Sequence, residues 1–173
     1  MNLKLNLGSG KTSYAGFTNI DIVNLPNVNV VWDLEKTPLP FKNNSVSEII
    51  TEHTLEHIRN FFPLLEDIYR ICKADALVKI AVPYFKYEGA FRDPTHVRFF
   101  TERSFDHFNV DYEYNYYTKA RFRILKVELH NVSKTSVQNL YKRIIKFIPF
   151  KSFLNMFLWN MYSEIYYELE VIK

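Results

Sequence analysis

The run that most constrains this chain is Leu3-Lys4-Leu5-Asn6-Leu7, which alternates apolar and polar residues and breaks at once into Gly8-Ser9-Gly10. Such alternation is a short strand with one buried face, and the two glycines remove the side chains that would keep a ligand away from the backbone. A second strand, Thr18 to Ile22, follows and carries Asp21 at its end. A glycine turn and then an acid at two successive strand ends is the layout of a nucleoside-binding cleft, in which the carboxylate accepts hydrogen bonds from both ribose hydroxyls. The plainer alternative, a turn that merely follows a strand, stays open on these residues alone.

Two other motifs compete for the same region. Gly10-Lys11-Thr12 has the ending of a phosphate-binding loop, but that pattern needs a glycine where Leu5 stands and a long helix where Gly16 and the second strand arrive. His53-Thr54-Leu55-Glu56-His57 has the H-x-x-E-H spacing of inverted zinc peptidases. A hydrolytic zinc site also needs a third ligand and a glutamate free to activate water, and downstream only Glu113 and Glu128 offer themselves. The match begins at a strand end rather than inside a helix, so the sequence reading assigns no metal and takes His57 as a helix-start residue near the cleft.

Past the glycine turn come Asp33-Leu34, Leu39-Pro40-Phe41, the strand Val46-Ser47-Glu48-Ile49-Ile50 and then Leu55-Glu56-His57-Ile58. In this order they resemble the class I S-adenosylmethionine (SAM) dependent methyltransferases, in particular the small methyltransferase-domain proteins of the type-11 group. The resemblance covers residues 3 to 108 closely and the remainder only in strand order. It implies an α/β fold with a Rossmann-like, mostly parallel seven-stranded sheet, the last strand running antiparallel between the fifth and sixth. It also implies SAM as cofactor, held by Gly8, Ser9 and Gly10 along its methionine and ribose, by Asp21 and Ile22 at the ribose, and by Asp33 and Leu34 at adenine. Glu52 and His53 would then lie beneath the sulfonium and face the acceptor.

Strands are expected at Leu3 to Leu7, Thr18 to Ile22, Val28 to Trp32, Val46 to Thr51 and Leu77 to Val82, with strand and helix alternating to about residue 108. Phe61, Leu64, Leu65, Ile68 and Cys72 recur at helical spacing within Asn60 to Cys72, and Pro63 sits in that helix's first turn. Phe122 to Leu129 and Glu164 to Ile172 read as the last two strands. Between them residues 134–162 form an amphipathic insertion with stripes Val137, Leu140, Tyr141, Ile144, Ile148 and Phe150, Phe153, Leu154, Phe157, Leu158, Met161. No Asp or Glu appears from Asn131 to Ser163, and a one-sided basic helix suits peripheral contact with an anionic membrane. Cover for the sheet or a partner copy is the other use of such stripes.

Two departures from the family pattern bear on the cofactor. Gly10 to Asp21 is short against the ~20 residues usual between glycine motif and acid, so the helix after the glycines is reduced to a loop. Lys73-Ala74-Asp75-Ala76 replaces the Lys-Pro-Gly-Gly turn common before strand five. A SAM-binding protein without catalysis is therefore one alternative to an enzyme, and a zinc hydrolase built on His53, Glu56 and His57 is another.

For an active enzyme, acceptor-side candidates follow strand five in Pro83-Tyr84-Phe85 and in Asp93 to Thr101. His96 is the expected base, since a histidine's ordinary pKa of ~6.5 suits proton transfer near neutrality. Asp93 is expected to orient it, His53 to act beside it, and Arg98 to hold an anionic group. The acceptor is expected to be a small molecule or glycan, methylated at O or N, with Tyr84, Phe85, Tyr87, Phe91 and the Tyr112 to Tyr117 run available to stack on it. The 173 residues, 47% hydrophobic and 17% aromatic, suffice for one domain with a proper core. The single Cys72 excludes an internal disulfide and no leader precedes the first strand, so a cytoplasmic setting is expected. A net charge of +3 gives no argument for nucleic acid.

Overall fold

The computed structural model describes residues 2–131 and 151–173. They form a seven-stranded sheet from β1 (Leu3–Leu7), β2 (Thr18–Asp21), β3 (Val30–Val31), β4 (Val46–Glu52), β5 (Cys72–Pro83), β6 (Phe122–His130) and β7 (Glu164–Val171). Their order is β3-β2-β1-β4-β5-β7-β6. The first five strands run parallel, and β7 lies antiparallel between β5 and β6 as the sequence indicated. The reversal of strand order between β1 and β4 puts the carboxyl ends of β1 to β4 around one crevice, the place where open α/β sheets bind ligands.

The alternation of strand and helix is not what the chain does. Among the connections between the five parallel strands, the β4 to β5 link alone contains a helix of several turns, α1 (Phe61–Ile71), begun at Asn60 and ended at Cys72. The links from β1 to β2, β2 to β3 and β3 to β4 are loops, because each is too short or too rich in Gly, Pro and Asn to sustain helical spacing. The third strand is also shorter than expected: Val28 and Trp32 hydrogen-bond to loop and strand-end carbonyls outside β3.

This gives the sheet two unlike faces. Leu5, Leu7, Ile49, Val78, Ile80, Ile165, Tyr167 and Leu169 point to one side and are wholly buried, beneath α1 and the segment that holds Phe100, Phe105 and Phe108. Phe61 of α1 joins those three rings at centroid distances of 5.8–5.9 Å, and Phe105 meets Tyr167 at 4.7 Å. Each fully buried ring contributes about 2–3 kcal/mol, so this aromatic cluster is the main anchor of the covered face.

The other face carries Lys4, Glu48, Lys79, Glu168 and Glu170, as an alternating strand must when one side meets water. Glu48 sits between two lysines, with Lys4 Nζ at 2.7 Å and Lys79 Nζ at 2.7 Å, tying β1, β4 and β5 together. Partial burial works against its charge, but the two ammonium groups prevail and hold its carboxyl below the usual 4.5.

Strand five starts earlier than the expected Leu77 and takes in Lys73 to Ala76. The strand begins at Cys72, and this segment bulges where the β4 register shifts between Val46 and Glu48. Asp75 takes φ +60°, the left-handed conformation that glycine would supply, and aspartate is among the few residues that tolerate it. Of the amphipathic insertion, the stripe Val137 to Ile148 lies outside the described residues. α2 (Gly89–Arg92) is a single turn, and α3 (Lys151–Phe157) ends earlier than the second stripe, with Phe153 and Phe157 exposed and Met161 buried. No helix among the described residues is long and apolar enough to cross a membrane.

The lysine pair predicts a pH signature. A depressed carboxyl stabilises the fold above its unfolded pKa and ceases to do so as pH falls through its folded value. Glu48→Gln is expected to cost about 1 kcal/mol at pH 7, the scale of partly exposed pairs, in urea unfolding. That difference should shrink towards zero below about pH 4.

Candidate functional site

The glycine turn is held by close approach and not by chain freedom alone. Gly8 adopts φ +67°, and a Cβ placed on it would lie 2.1 Å from Thr54 Oγ1. The N–H groups of Gly8 and Ser9 both donate to the carbonyl of Ile20, at 2.9 and 3.0 Å, which fixes the end of β1 over the end of β2. Gly10, at φ +49°, donates its N–H to Asp21 Oδ2 at 2.8 Å, while Val23 N–H donates to Oδ1 at 2.9 Å. The ribose acid of the sequence reading is thus fixed in place by two backbone amides, with lone pairs left over for a ligand.

The helix missing after the glycines has a substitute that sequence spacing did not reveal. Asn6 Nδ2 donates to Asn19 Oδ1 at 3.0 Å, Asn19 Nδ2 to Ser13 Oγ at 2.9 Å, and Asn27 Nδ2 to the Gly10 carbonyl at 3.0 Å. These amides tie down residues 11–17. Tyr14 then reaches across to donate its hydroxyl to Glu52 Oε2 at 2.8 Å, and burial together with that carboxylate pushes the phenol up to about 12.

Gly8, Gly10, Asp21, Ile22, Trp32, Asp33, Leu34 and Ile58 surround a cavity of about 440 Å³, within the range of roughly 300–1,000 Å³ typical of small-ligand sites. His53, Thr54 and His57 line it as well. Asp33 Oδ1 accepts Glu35 N–H at 3.0 Å, and the Glu35 carboxylate in turn accepts the N–H groups of Arg59 and Asn60 at the start of α1. Leu34 is buried, and Ser9 Oγ is buried without a hydrogen-bond partner among the described residues.

A second cavity of about 650 Å³ shares His53 and His57 with the first and continues to Glu56, Tyr87, Arg92, Asp93, His96 and Glu164. His53 is at φ +50°, a backbone state costly for histidine. Its Nε2 lies 2.8 Å from Glu164 Oε2 and its Nδ1 3.5 Å from Glu56 Oε1. Glu164 first and Glu56 second raise its pKa to about 10, so at neutral pH it is an imidazolium. As a cation it offers positive charge at the junction of the cavities.

His96 reaches this cavity, but Asp93 does not orient it. The Ala90 carbonyl, 2.8 Å from Nδ1, does so, while Asp93 Oδ2 stands 3.9 Å from Nε2. Asp93 is engaged instead by the hydroxyl and N–H of Thr95, which hold its carboxyl below its usual value. Arg98 is turned away: its guanidinium stacks 4.5 Å over Phe61 and donates to the Arg59 carbonyl. Of the aromatics, Tyr87 lines the cavity, Tyr84 is core, and Tyr116 and Tyr117 are exposed elsewhere. Glu113 and Glu128, the third zinc ligands considered from sequence, are absent from the His and acid cluster found among the described residues.

Comparison with solved structures decides the fold. A SAM-dependent methyltransferase from Archaeoglobus fulgidus superimposes with a TM-score of 0.65 over 98% of this chain and 86% of its own, at 15% identity. The chain has the class I SAM-dependent methyltransferase fold. A Mesorhizobium loti SAM-dependent methyltransferase (TM-score 0.56, 97% of this chain, 90% of that one, 11% identity) shares it. So does the [4+2]-cyclase SpnF (0.59, 99%, 76%, 11%), and the methyltransferase fold therefore carries more than one chemistry. No protein-family model matches the sequence, and none of the curated proteins compared with it is significantly similar.

The two glycines give a contrast that tests the close approach. Gly10→Ala has open space and should cost only the left-handed backbone, about 1–2 kcal/mol. Gly8→Ala adds the collision with Thr54 and should cost about 3 kcal/mol or more in the same denaturation assay.

Proposed function

We propose that this chain is a SAM-dependent methyltransferase acting on a small-molecule or glycan-type acceptor, at an oxygen or nitrogen. The observation that carries the reading is the pair of cavities joined at His53 and His57, one shaped for a nucleoside and the other polar. Asp21 is positioned for ribose hydroxyls, Asp33 for an exocyclic amine and Leu34 for the face of a purine. The unpartnered Ser9 Oγ is a donor and acceptor left for the amino-acid end of the cofactor. The residues therefore fit SAM, which when bound supplies a methyl group already activated by its sulfonium.

The protein then has to align an acceptor and remove a proton. His96 Nε2 carries no hydrogen bond among the described residues, because the Ala90 carbonyl can only accept and so fixes the proton on Nδ1. That leaves an Nε2 lone pair to receive the acceptor's proton. Tyr87, on the wall of the acceptor cavity, offers a ring for a sugar or aromatic acceptor to stack on.

The test is a calorimetric titration of S-adenosylhomocysteine, with adenosine as a shorter probe. Wild type should bind both, and Asp21→Ala should weaken each at least tenfold, the scale of two hydrogen bonds to a charged group. Asp33→Ala should weaken both several-fold. A folded wild type that binds neither at millimolar ligand would overturn the reading.

A further inference from the structure

Glu56 is a buried acid whose carboxylate is poorly matched. It is 1% exposed, and among the described residues neither carboxylate oxygen receives a hydrogen bond. His53, the charged partner it has among those residues, stops 3.5 Å from Oε1, and that imidazolium is committed to Glu164 at 2.8 Å. A buried carboxylate left in this state costs several kcal/mol unless another positive charge occupies its free side.

Two imidazoles face that side, and each has its tautomer fixed by a neighbour. Thr95 gives its hydroxyl proton to Asp93 Oδ1 at 2.6 Å, so its oxygen accepts from His57 Nδ1 at 2.9 Å. The Ala90 carbonyl takes the Nδ1 proton of His96 at 2.8 Å. Both Nε2 lone pairs are thereby left free. A hydroxyl backed by a carboxylate on one ring and a backbone carbonyl on the other hold the histidines from behind, the kind of outer-shell support that metal-binding histidines use.

The chain also sews these residues together. The carbonyl of Glu56 accepts from both Val97 N–H (2.8 Å) and Arg98 N–H (3.2 Å), which brings His96 against His57 with ring centroids 4.8 Å apart. One ligand atom each from Glu56, His57 and His96 lies within 4.8 Å of the others. Ligands on one tetrahedral ion stand ~3.3–3.5 Å apart, so side-chain shifts of about 1–1.5 Å close the set.

We propose that Glu56, His57 and His96 bind a divalent transition-metal ion of the zinc type. Two imidazoles and one carboxylate favour such an ion over calcium or magnesium, which take oxygen ligands. Three protein ligands leave positions open towards the 650 Å³ cavity. Only the consequence for catalysis rests on the methyltransferase reading: with an ion bound, an acceptor hydroxyl at an open position would be made acidic enough to lose its proton to water, replacing the base role that His96 Nε2 has in the metal-free site. His53, first residue of the H-x-x-E-H run, is not a ligand.

Zinc and cobalt(II) titrations of the chelator-treated full chain, without cofactor, test the site separately from SAM binding. Wild type should bind one ion per chain, show cobalt visible absorption, and gain thermal stability with zinc. Glu56→Gln, His57→Gln and His96→Gln should each lose affinity at least tenfold and lose that stabilisation. Thr95→Val, which frees His57, should weaken binding about tenfold. His53→Asn should retain the ion, as should the remote His107→Gln. Absence of binding by folded wild type at millimolar metal would overturn the proposal. So would zinc stabilisation unchanged in His96→Gln, or lost in His53→Asn.

Discussion

Everything at the candidate site depends on the contact between Gly8 and Thr54, where the turn after β1 is pressed against the end of β4. No side chain fits between them, so the two strand ends meet within van der Waals distance. That contact lies beside the 440 Å³ cavity, whose lining includes His53 and His57, the residues it shares with the wider cavity that Glu56 also lines. The Gly10 amide then anchors Asp21, and the Ile20 carbonyl takes two amides of the turn. Elements as remote as β2 and α1 are thereby placed against one crevice.

Among the described residues, one face of the sheet is buried under α1 and the phenylalanine cluster, and the other carries a ladder of Lys4, Glu48 and Lys79. Such a ladder replaces apolar burial by partly screened ion pairs, a weaker source of stability. The buried amides of Asn6 and Asn19 do for the β1 to β2 loop what a packed helix does elsewhere: they satisfy backbone and side-chain groups that would otherwise be stranded.

Much of the fold was legible because it rests on local periodicity and strand order. Leu3 to Leu7, Val46 to Thr51 and the α1 stripe each carry their period in plain view, and β7 matches its alternation within a residue. The loops were not legible as loops, since nothing in Pro26 or Asn29 says which carbonyl will receive an amide. At the site, Asp21 came from its place at a strand end, Asp33 and Leu34 from the family resemblance, and all three line one cavity. Thr54, Tyr14 and Glu164 were not legible, because their importance is a matter of distance across 38 to 46 residues or more of chain. The histidine motif was visible but misgrouped: its spacing joined His53 to His57, whereas three dimensions join His57 to His96 through Glu56.

The most direct measurement is a crystal structure of the chain with S-adenosylhomocysteine. The account predicts ribose hydroxyls on Asp21, adenine between Asp33 and Leu34, and the sulfur at the His53 end, pointing towards the wider cavity. Ligand found only around Glu56 and His96, or a glycine turn making no contact with it, would contradict the account.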